Sequence, residues 1–376
     1  MKVLIISSDR NIFKEGSEAQ SRMIEYGKLT RELHIVIFTK KETGISTAKI
    51  SPNVYLYPTN SANRWFYVSD AVKTGKRVLM AGNEWLISSQ DPFECGLSGW
   101  ILKKKLGIPL QLQIHTDFLS PYFRKCSPLN CFRVLMAKFL IPRADCIRVV
   151  SARIKRSLEK LRCKPKTEPV VLPIFVDIEN IKKAEIKTDL HRKYPQFDFI
   201  ILMASRLTTE KNIGLAIDAT KKIVRIHSKT GLIIVGEGPE EKKLKACSSK
   251  IKANVIFEPW TEDLASYYKT ADLFLLISSY EGYGRTAVEA MAAGCPVIMT
   301  DVGLAGEVLI DKKDGIIVPV NNKRKLSGAI LMLMENHSLR NELAKNSQKT
   351  MNFWPKKTKY LNDYREAWMS CKIKER

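Results

Sequence analysis

Short apolar runs recur along the chain, separated by stretches whose apolar positions return at helical spacing. In the first half the runs fall at residues 3–6, 34–38, 54–57, 86–89, 110–114 and 146–150. They predict strands. The intervals predict helices, as at 213–227 in the second half. Strands alternating with helices give parallel sheets with right-handed crossovers. The pattern restarts at 199–204 and continues through 232–235, 255–257, 273–277, 297–300 and 316–318. The prediction is α/β, two Rossmann-like domains with parallel sheets facing across a cleft. Between the halves, 170–176 leads into a Lys-rich stretch, 178–193, expected to be a hinge. The domains are expected at 1–177 and 178–354, followed by a Trp- and Tyr-rich helical tail.

At 376 residues the chain is too long for one ordinary core, which agrees with two domains. No apolar run approaches the roughly 18 residues of a membrane-spanning helix. The first residues read as a buried strand rather than a signal peptide. The eight cysteines are scattered, with no C-x-x-C pair and no Cys/His ligand spacing. That argues against zinc and predicts reduced, buried thiols in a cytoplasmic protein.

Charge adds a second feature. The net charge is +23, and residues 121–166 hold 13 Lys/Arg against two acids, Asp145 and Glu159. Apolar stretches interleave with these cations, as at 132–141. A basic amphipathic segment can be a solvated face, or it can meet an anionic surface. The expected surface is the cytoplasmic membrane face, with the protein peripheral to it. Specific nucleic-acid binding is not expected: no recognised module is present, and the aromatics do not interleave with the cations as stacking platforms do.

The chemistry concentrates at 278–307. Glu281 and Glu289 stand eight positions apart around a glycine-rich turn, Gly282-Tyr283-Gly284, between two apolar runs. That is strand, loop, helix, strand, and loops leaving strand carboxyl ends are where open parallel sheets bind ligands. Free amides and a helix N-terminus suit phosphate, and carboxylates suit hydroxyls. A lone helical Glu is ordinarily exposed, but Glu289 lies among Ala287, Val288, Ala290 and Met291, a small apolar helix. Arg206 and Lys211 follow the 199–204 strand and can reach one anionic group. Gly236-Glu237-Gly238 follows the 232–235 strand; alone, such a G-x-G is ordinary turn chemistry. No Asp-x-Asp pair is present.

The motif E-G-Y-G-x4-E-A-M-A-x-G-x-P-V at 281–297 resembles the signature of retaining GT-B glycosyltransferases of family GT4 (glycosyltransferase group 1). Ser205-Arg206-Leu207-Thr208-Thr209-Glu210-Lys211-Asn212 resembles the family's G-R-L-x-x-E-K-N, and Val235-Gly236-Glu237-Gly238-Pro239 its V-G-x-G-P. The stretch 170–177 resembles the interdomain P-N-G-V-D, with Ile174-Phe175 replacing Asn-Gly. The resemblance implies that Arg206 and Lys211 neutralise the donor's diphosphate. It implies that Glu281, with the amides of Gly282, Tyr283 and Gly284, binds the donor sugar. Glu289 beside Val288 would bind ribose. Gly236, Glu237, Gly238 and Trp260 would surround the base. His115 would bind the sugar's hydroxymethyl group, with Asp117 a weaker candidate, and Gly16 and Ser17 would meet the phosphates, although the family often has a second glycine where Ser17 stands. Asp91 and Glu94 would line the acceptor side. The tail, 355–376, would pack back on the first domain.

The resulting reading is a retaining glycosyltransferase using a UDP- or GDP-linked sugar. It needs no cofactor and no metal, because protein cations meet the leaving group. The acceptor is a lipid-linked glycan or a polysaccharide. The alternatives are another GT-B enzyme, such as a nucleotide-sugar epimerase or a phosphorylase, and a non-catalytic nucleotide-sugar-binding subunit. A polyanion-binding protein acting through its charge alone is a third.

Overall fold

The computed structural model describes residues 1–80 and 84–371. The chain forms two compact units. The first comprises Met1–Leu119, Ser127–Pro173 and the chain from Lys356; the second comprises Ser120–Cys126 and Ile174–Pro355. The sequence placed the division at 177; here it falls after Pro173, and the short 120–126 segment joins the second unit.

The first unit is built on an eight-stranded sheet: β1 Lys2–Ser7, β2 Glu32–Ile37, β3 Ala48–Ser51, β4 Val54–Pro58, β5 Trp85–Ser89, β6 Leu110–Ile114, β7 Cys146–Val149 and β8 Val170–Val171. Their spatial order is β3-β4-β2-β1-β5-β6-β7-β8. All neighbours run parallel except β3 with β4. The second unit carries a six-stranded parallel sheet: β9 Phe199–Ala204, β10 Thr230–Val235, β11 Val255–Glu258, β12 Leu273–Leu276, β13 Val297–Thr300 and β14 Ile316–Val318. Its order is β11-β10-β9-β12-β13-β14. Sheets of this kind need both faces covered by helices, and β5, β6, β9, β10, β12 and β13 are buried at every residue. Both central orders are the doubly wound Rossmann order. The two α/β parallel-sheet units are a GT-B fold.

Three expectations need correcting. The antiparallel edge strand β3 was not foreseen. The 178–193 stretch is not a solvated hinge. It forms the short helices Ile178–Lys183 and Leu190–Lys193, with Ile178 and Leu190 buried. It is fixed to the second unit by the Lys187 amide donating to Ser266 Oγ at 2.9 Å and by His191 lying 3.0 Å from Asp272. Two buried side chains among many lysines outweigh an average polarity. Third, the cysteines are not all reduced and buried: Cys146, opening β7, is disulfide-bonded to Cys371, 225 residues away. Of the cysteines outside this disulfide, Cys131, Cys163 and Cys247 are exposed. The tail helix, Lys357–Met369, packs within the first unit through Tyr360, Tyr364 and Trp368. Tyr364 stacks on Tyr26 at 4.1 Å.

Candidate active site

In the second sheet the chain winds outward in opposite directions from β9 and β12, so a crevice opens beyond their carboxyl ends. The loops after these two strands carry the predicted chemistry. The Ser279 amide donates to the Glu210 carbonyl at 2.7 Å and ties one loop to the other. Lys211 Nζ forms an ion pair with Glu281 Oε1, which also accepts from Ser278 Oγ at 2.8 Å. With Ser205 and Thr286 these residues line a narrow pocket floored by the ends of the two strands. Arg206 is not drawn in. Its side chain is 77% exposed and lies 3.6 Å from Glu210.

The loop then enters the helix Arg285–Ala293 through Gly284, whose φ of +103° is the left-handed region that favours glycine. The N-cap position is therefore a residue with no side chain of its own to cap the helix. Gly282 and Tyr283 are buried beside it, and a Cβ at Gly303 would stand 2.2 Å from the Tyr283 carbonyl oxygen, so the loop rests directly on backbone. Val288 is fully buried. Glu289, the fifth residue of the helix, is only 8% exposed. Arg285 Nε donates to its Oε1 at 2.7 Å and the Tyr268 hydroxyl to its Oε2 at 3.1 Å. A buried carboxylate needs such donors. Burial, and then the Glu289 charge, raise the Tyr268 hydroxyl well above the usual phenol range, so it remains a donor.

Beside this pocket is a cavity of about 410 Å³ lined by Gly236, Glu237, Gly238, Phe257, Glu258 and Pro259 among others. Its glycines have a packing reason. A Cβ at Gly236 would lie 2.0 Å from the Ser205 carbonyl oxygen, and one at Gly238 2.4 Å from that of Leu207. The strand-end loops of β9 and β10 therefore touch backbone to backbone. Glu258 turns its carboxylate toward Lys193 at 2.7 Å and the Tyr267 hydroxyl at 2.5 Å. Burial works to raise its pKa, but hydrogen bonds from Lys193, Tyr194 and Tyr267 outweigh it and hold it below the usual range. Trp260 is half exposed and does not line the cavity.

In the first sheet the winding direction reverses between β1 and β5. Gly16 and Ser17 follow β1, but their polar groups cap the helix Glu18–Gly27: Ser17 Oγ accepts from the Gln20 amide at 3.1 Å and donates to the Asn11 carbonyl at 2.6 Å, and the Gly16 amide donates to Gln20 Oε1 at 3.2 Å. Asp91, after β5, likewise caps a helix through the amides of Phe93 and Cys95. Glu94 pairs with Arg133 at 2.9 Å. These two acids hold structure together. His115, just beyond β6, keeps its ring beside Gln113, with Nε2 3.1 Å from Gln113 Oε1. Burial, then the charges of Arg148 and Arg22, push its pKa down to about 3, so the imidazole is neutral. Asp117 lies in the turn that follows and is half-buried.

The basic segment resolves into elements. The helix Pro128–Leu140 buries Asn130, Val134, Ala137 and Leu140. Its opposite side exposes Leu129, Phe132, Leu135 and Phe139 beside Lys138. Among the described residues no helix is long and apolar enough to cross a membrane, and no cluster of three or more His, Cys, Asp or Glu could hold a metal ion.

The sequence reading missed Ser278, Tyr268 and Arg285. Arg285 had a visible signal, a cation four residues before Glu289 on one helix face. Tyr268 had none, because it reaches Glu289 from a different helix.

Two family models match the chain: Glycosyltransferase Family 4 over residues 31–180 and Glycosyl transferases group 1 over 187–350. An uncharacterized glycosyltransferase of Methanocaldococcus jannaschii is 28% identical over 75% of this chain and 74% of its own length. The alpha-monoglucosyldiacylglycerol synthase of Streptococcus pneumoniae is 29% identical over 65% of this chain and 58% of its own. The crystal structure of Anabaena HepE in complex with UDP-glucose superposes with a TM-score of 0.76 at 20% identity, covering 98% of this chain and 99% of that one.

Proposed function

The chain belongs to the group 1, family 4 glycosyltransferases, and from that premise we propose that it transfers a sugar from a nucleoside-diphosphate donor, with retention of configuration, to a lipid-linked or polysaccharide acceptor. The observation that carries this reading is the Lys211–Glu281 pair at the reversal point of the second sheet, between a helix start with glycine at its N-cap and the 410 Å³ cavity. Lys211 and the amides at Gly284 and beyond receive the diphosphate; Glu281 receives sugar hydroxyls; Glu289 lies one helical turn further in for the ribose. The cavity takes the base. Arg206, exposed and weakly held, folds onto the diphosphate when donor is present.

The bond from the anomeric carbon to the diphosphate oxygen breaks, and charge grows on that oxygen. Fixed cations lower the cost of that charge. The acceptor oxygen bonds to the same face of the anomeric carbon while its proton passes to the departing phosphate oxygen. No protein nucleophile is required, and Glu281 is already engaged by Lys211 and Ser278. Cations supplied by the chain make a metal unnecessary in this scheme. His115, neutral, accepts from a sugar hydroxyl. HepE was solved with UDP-glucose, which supports a UDP-linked donor here, with a GDP-linked one as the other choice. The pneumococcal relative's name is that of a glycolipid synthase, and the exposed apolar and basic side of Pro128–Leu140 suits an anionic bilayer, where such an acceptor resides.

The test is a thermal-shift panel of nucleotide sugars, followed by product analysis with and without glycolipid acceptors. A true donor raises the melting temperature by mass action. No stabilisation by any nucleotide sugar, or product formed only without acceptor, would overturn the reading.

A further inference from the structure

His115 stands at the end of an uninterrupted line of polar groups through the core of the first unit. Gln111 Nε2 donates to the Ala367 carbonyl, in the tail helix, at 2.7 Å. Ser88 Oγ donates to Gln111 Oε1 at 3.0 Å, and Gln113 Nε2 donates to Ser88 Oγ at 2.8 Å. Gln113 Oε1 lies 3.1 Å from His115 Nε2 and accepts from Arg148 at 2.8 Å. Ser88, Gln111, Gln113 and Arg148 are all at least 98% buried.

The orientation of an amide is set by its neighbours, and here both ends of the line are unambiguous. The Ala367 carbonyl can only accept, so it fixes the Gln111 amide group on its side and the Gln111 oxygen toward Ser88. Ser88 must then give its hydrogen to Gln111 and accept from Gln113. At the other end Arg148 can only donate. A flipped Gln113 would set its NH2 group against that guanidinium. Its oxygen therefore faces both Arg148 and His115, and the nitrogen of His115 that faces a carbonyl oxygen carries the hydrogen. Arg148 is notable in its own right: its four hydrogen-bond partners, Gln113, Leu172, Pro173 and Tyr360, all offer neutral oxygens. Its guanidinium stacks 4.6 Å from the Tyr364 ring. A buried cation held by neutral partners is costly to keep unless it does something for the site.

We infer that Arg148 is a positioning residue for His115: with the Ala367 carbonyl it orients the Gln111–Ser88–Gln113 line, which locks the imidazole as its Nε2–H tautomer and leaves Nδ1 as the hydrogen-bond acceptor offered to substrate. The inference rests on the proposed function for the identity of that substrate, a donor sugar. It deepens that reading, because an acceptor nitrogen selects a group that carries a hydrogen. A sugar hydroxyl fits; a sugar carboxylate or phosphate at the same place has no hydrogen to give and meets a lone pair.

The intact protein labelled with 15N-histidine reports tautomers directly in long-range 1H–15N correlation spectra. The chain has five histidines, and His115→Asn identifies the signal. The wild type is expected to show one neutral Nε2–H pattern between pH 8 and 6. Gln113→Glu, which accepts from both neighbours, should retain it. Gln113→Leu should move the two ring-nitrogen signals toward each other, as both tautomers become populated, and Arg148→Gln, which leaves Gln113 oriented from the Ala367 end alone, should move them in the same direction but less far. A mixed or Nδ1–H wild type overturns the inference, and so does an unchanged pattern in Gln113→Leu. If Arg148→Gln does not fold, the two Gln113 variants decide the matter. If it folds and keeps the wild-type pattern, the role of Arg148 is disproved. The spectra need no donor, so an absence of glycosyl transfer would count against the proposed function alone.

Discussion

Lys211 and Glu281, 70 residues apart in sequence, meet as an ion pair beyond the carboxyl ends of β9 and β12. Neither side chain is open to solvent to any large degree, at 18% and 15% exposure. In the proposed scheme the diphosphate competes with Glu281 for this ammonium, and Glu281, loosened, turns to the sugar. Lys211→Ala is therefore expected to lower turnover by about 10²-fold or more through lost leaving-group stabilisation. Arg206→Ala should cost a similar factor in turnover while leaving the melting temperature unchanged, since its side chain contacts little in the free protein. Steady-state kinetics and thermal unfolding measure both. Near-normal rates in the two variants would remove the diphosphate assignment.

Divalent metal should be dispensable, since the scheme takes its positive charge from Lys211, Arg206 and helix amides. Transfer is expected to proceed at an unchanged rate in excess chelator. Loss of activity on chelation, restored by magnesium or manganese, would mean that the diphosphate is bound in another way.

Acid should destabilise the protein in part through His115. Its folded pKa, about 3, lies below the unfolded value of about 6.5. Between those values the unfolded chain binds the extra proton, so stability rises with pH and falls as pH drops from 6.5 toward 3. His34, lowered by burial despite Glu32, acts in the same direction. One group contributes a slope of at most about 1.4 kcal/mol per pH unit. Denaturant unfolding of His115→Asn from pH 7 to 4.5 should give a shallower pH dependence than the wild type. Equal slopes would show that His115 titrates normally.

How far the sequence revealed this depends on the length scale of each interaction. Phe199–Ala204 and Val297–Thr300 were read to the residue, because a fully buried parallel strand is a near-continuous apolar run; Leu110–Ile114 was also read to the residue, although Gln111 and Gln113 alternate with its apolar positions. Ala48–Ser51 was missed, since a half-buried antiparallel edge of four residues leaves no such run. Glu281, Lys211 and Glu289 were found through motif spacing. Their partners Ser278 and Tyr268, and the line from Ala367 to His115, come from elements that only the fold brings together. Ser17 shows the converse: a residue with phosphate-binding chemistry and the right position spends its hydroxyl on a helix cap.

The Cys146–Cys371 bond is the clearest case of a contact that no local rule could find. It ties a residue just after the tail helix, whose Ala367 carbonyl receives Gln111, to the start of β7. A disulfide contributes about 2–4 kcal/mol in typical cases. Thiol titration of the unfolded, unreduced protein should find six free thiols of eight cysteines. Cys371→Ser should unfold at lower denaturant, and reductant should shift the wild type but not the variant. Eight thiols, or no shift with reductant, would show the bond absent in solution.

The helix Pro128–Leu140 should anchor the protein to anionic bilayers. Phe132 and Leu135, 60% and 66% exposed, share its outer side with Lys138. Interfacial helices set large apolar side chains beside cations in this way. Each cation near a negative surface contributes about 1 kcal/mol, and the attraction is screened beyond roughly 8 Å at physiological salt. Binding to phosphatidylglycerol vesicles should therefore weaken steeply with salt, and phosphatidylcholine vesicles should bind little. Phe132→Ser, Leu135→Ser and Lys138→Gln together should release the protein while leaving the nucleotide-sugar thermal shift intact, since Lys211, Glu281 and Glu289 belong to the other unit. Arg133 is the internal control. It pairs with Glu94 rather than facing outward, so Arg133→Gln should lower the melting temperature more than the vesicle affinity. Equal vesicle binding by wild type and triple variant, or none by either, would reduce this face to a solvated one and remove the main structural reason for a membrane-borne acceptor.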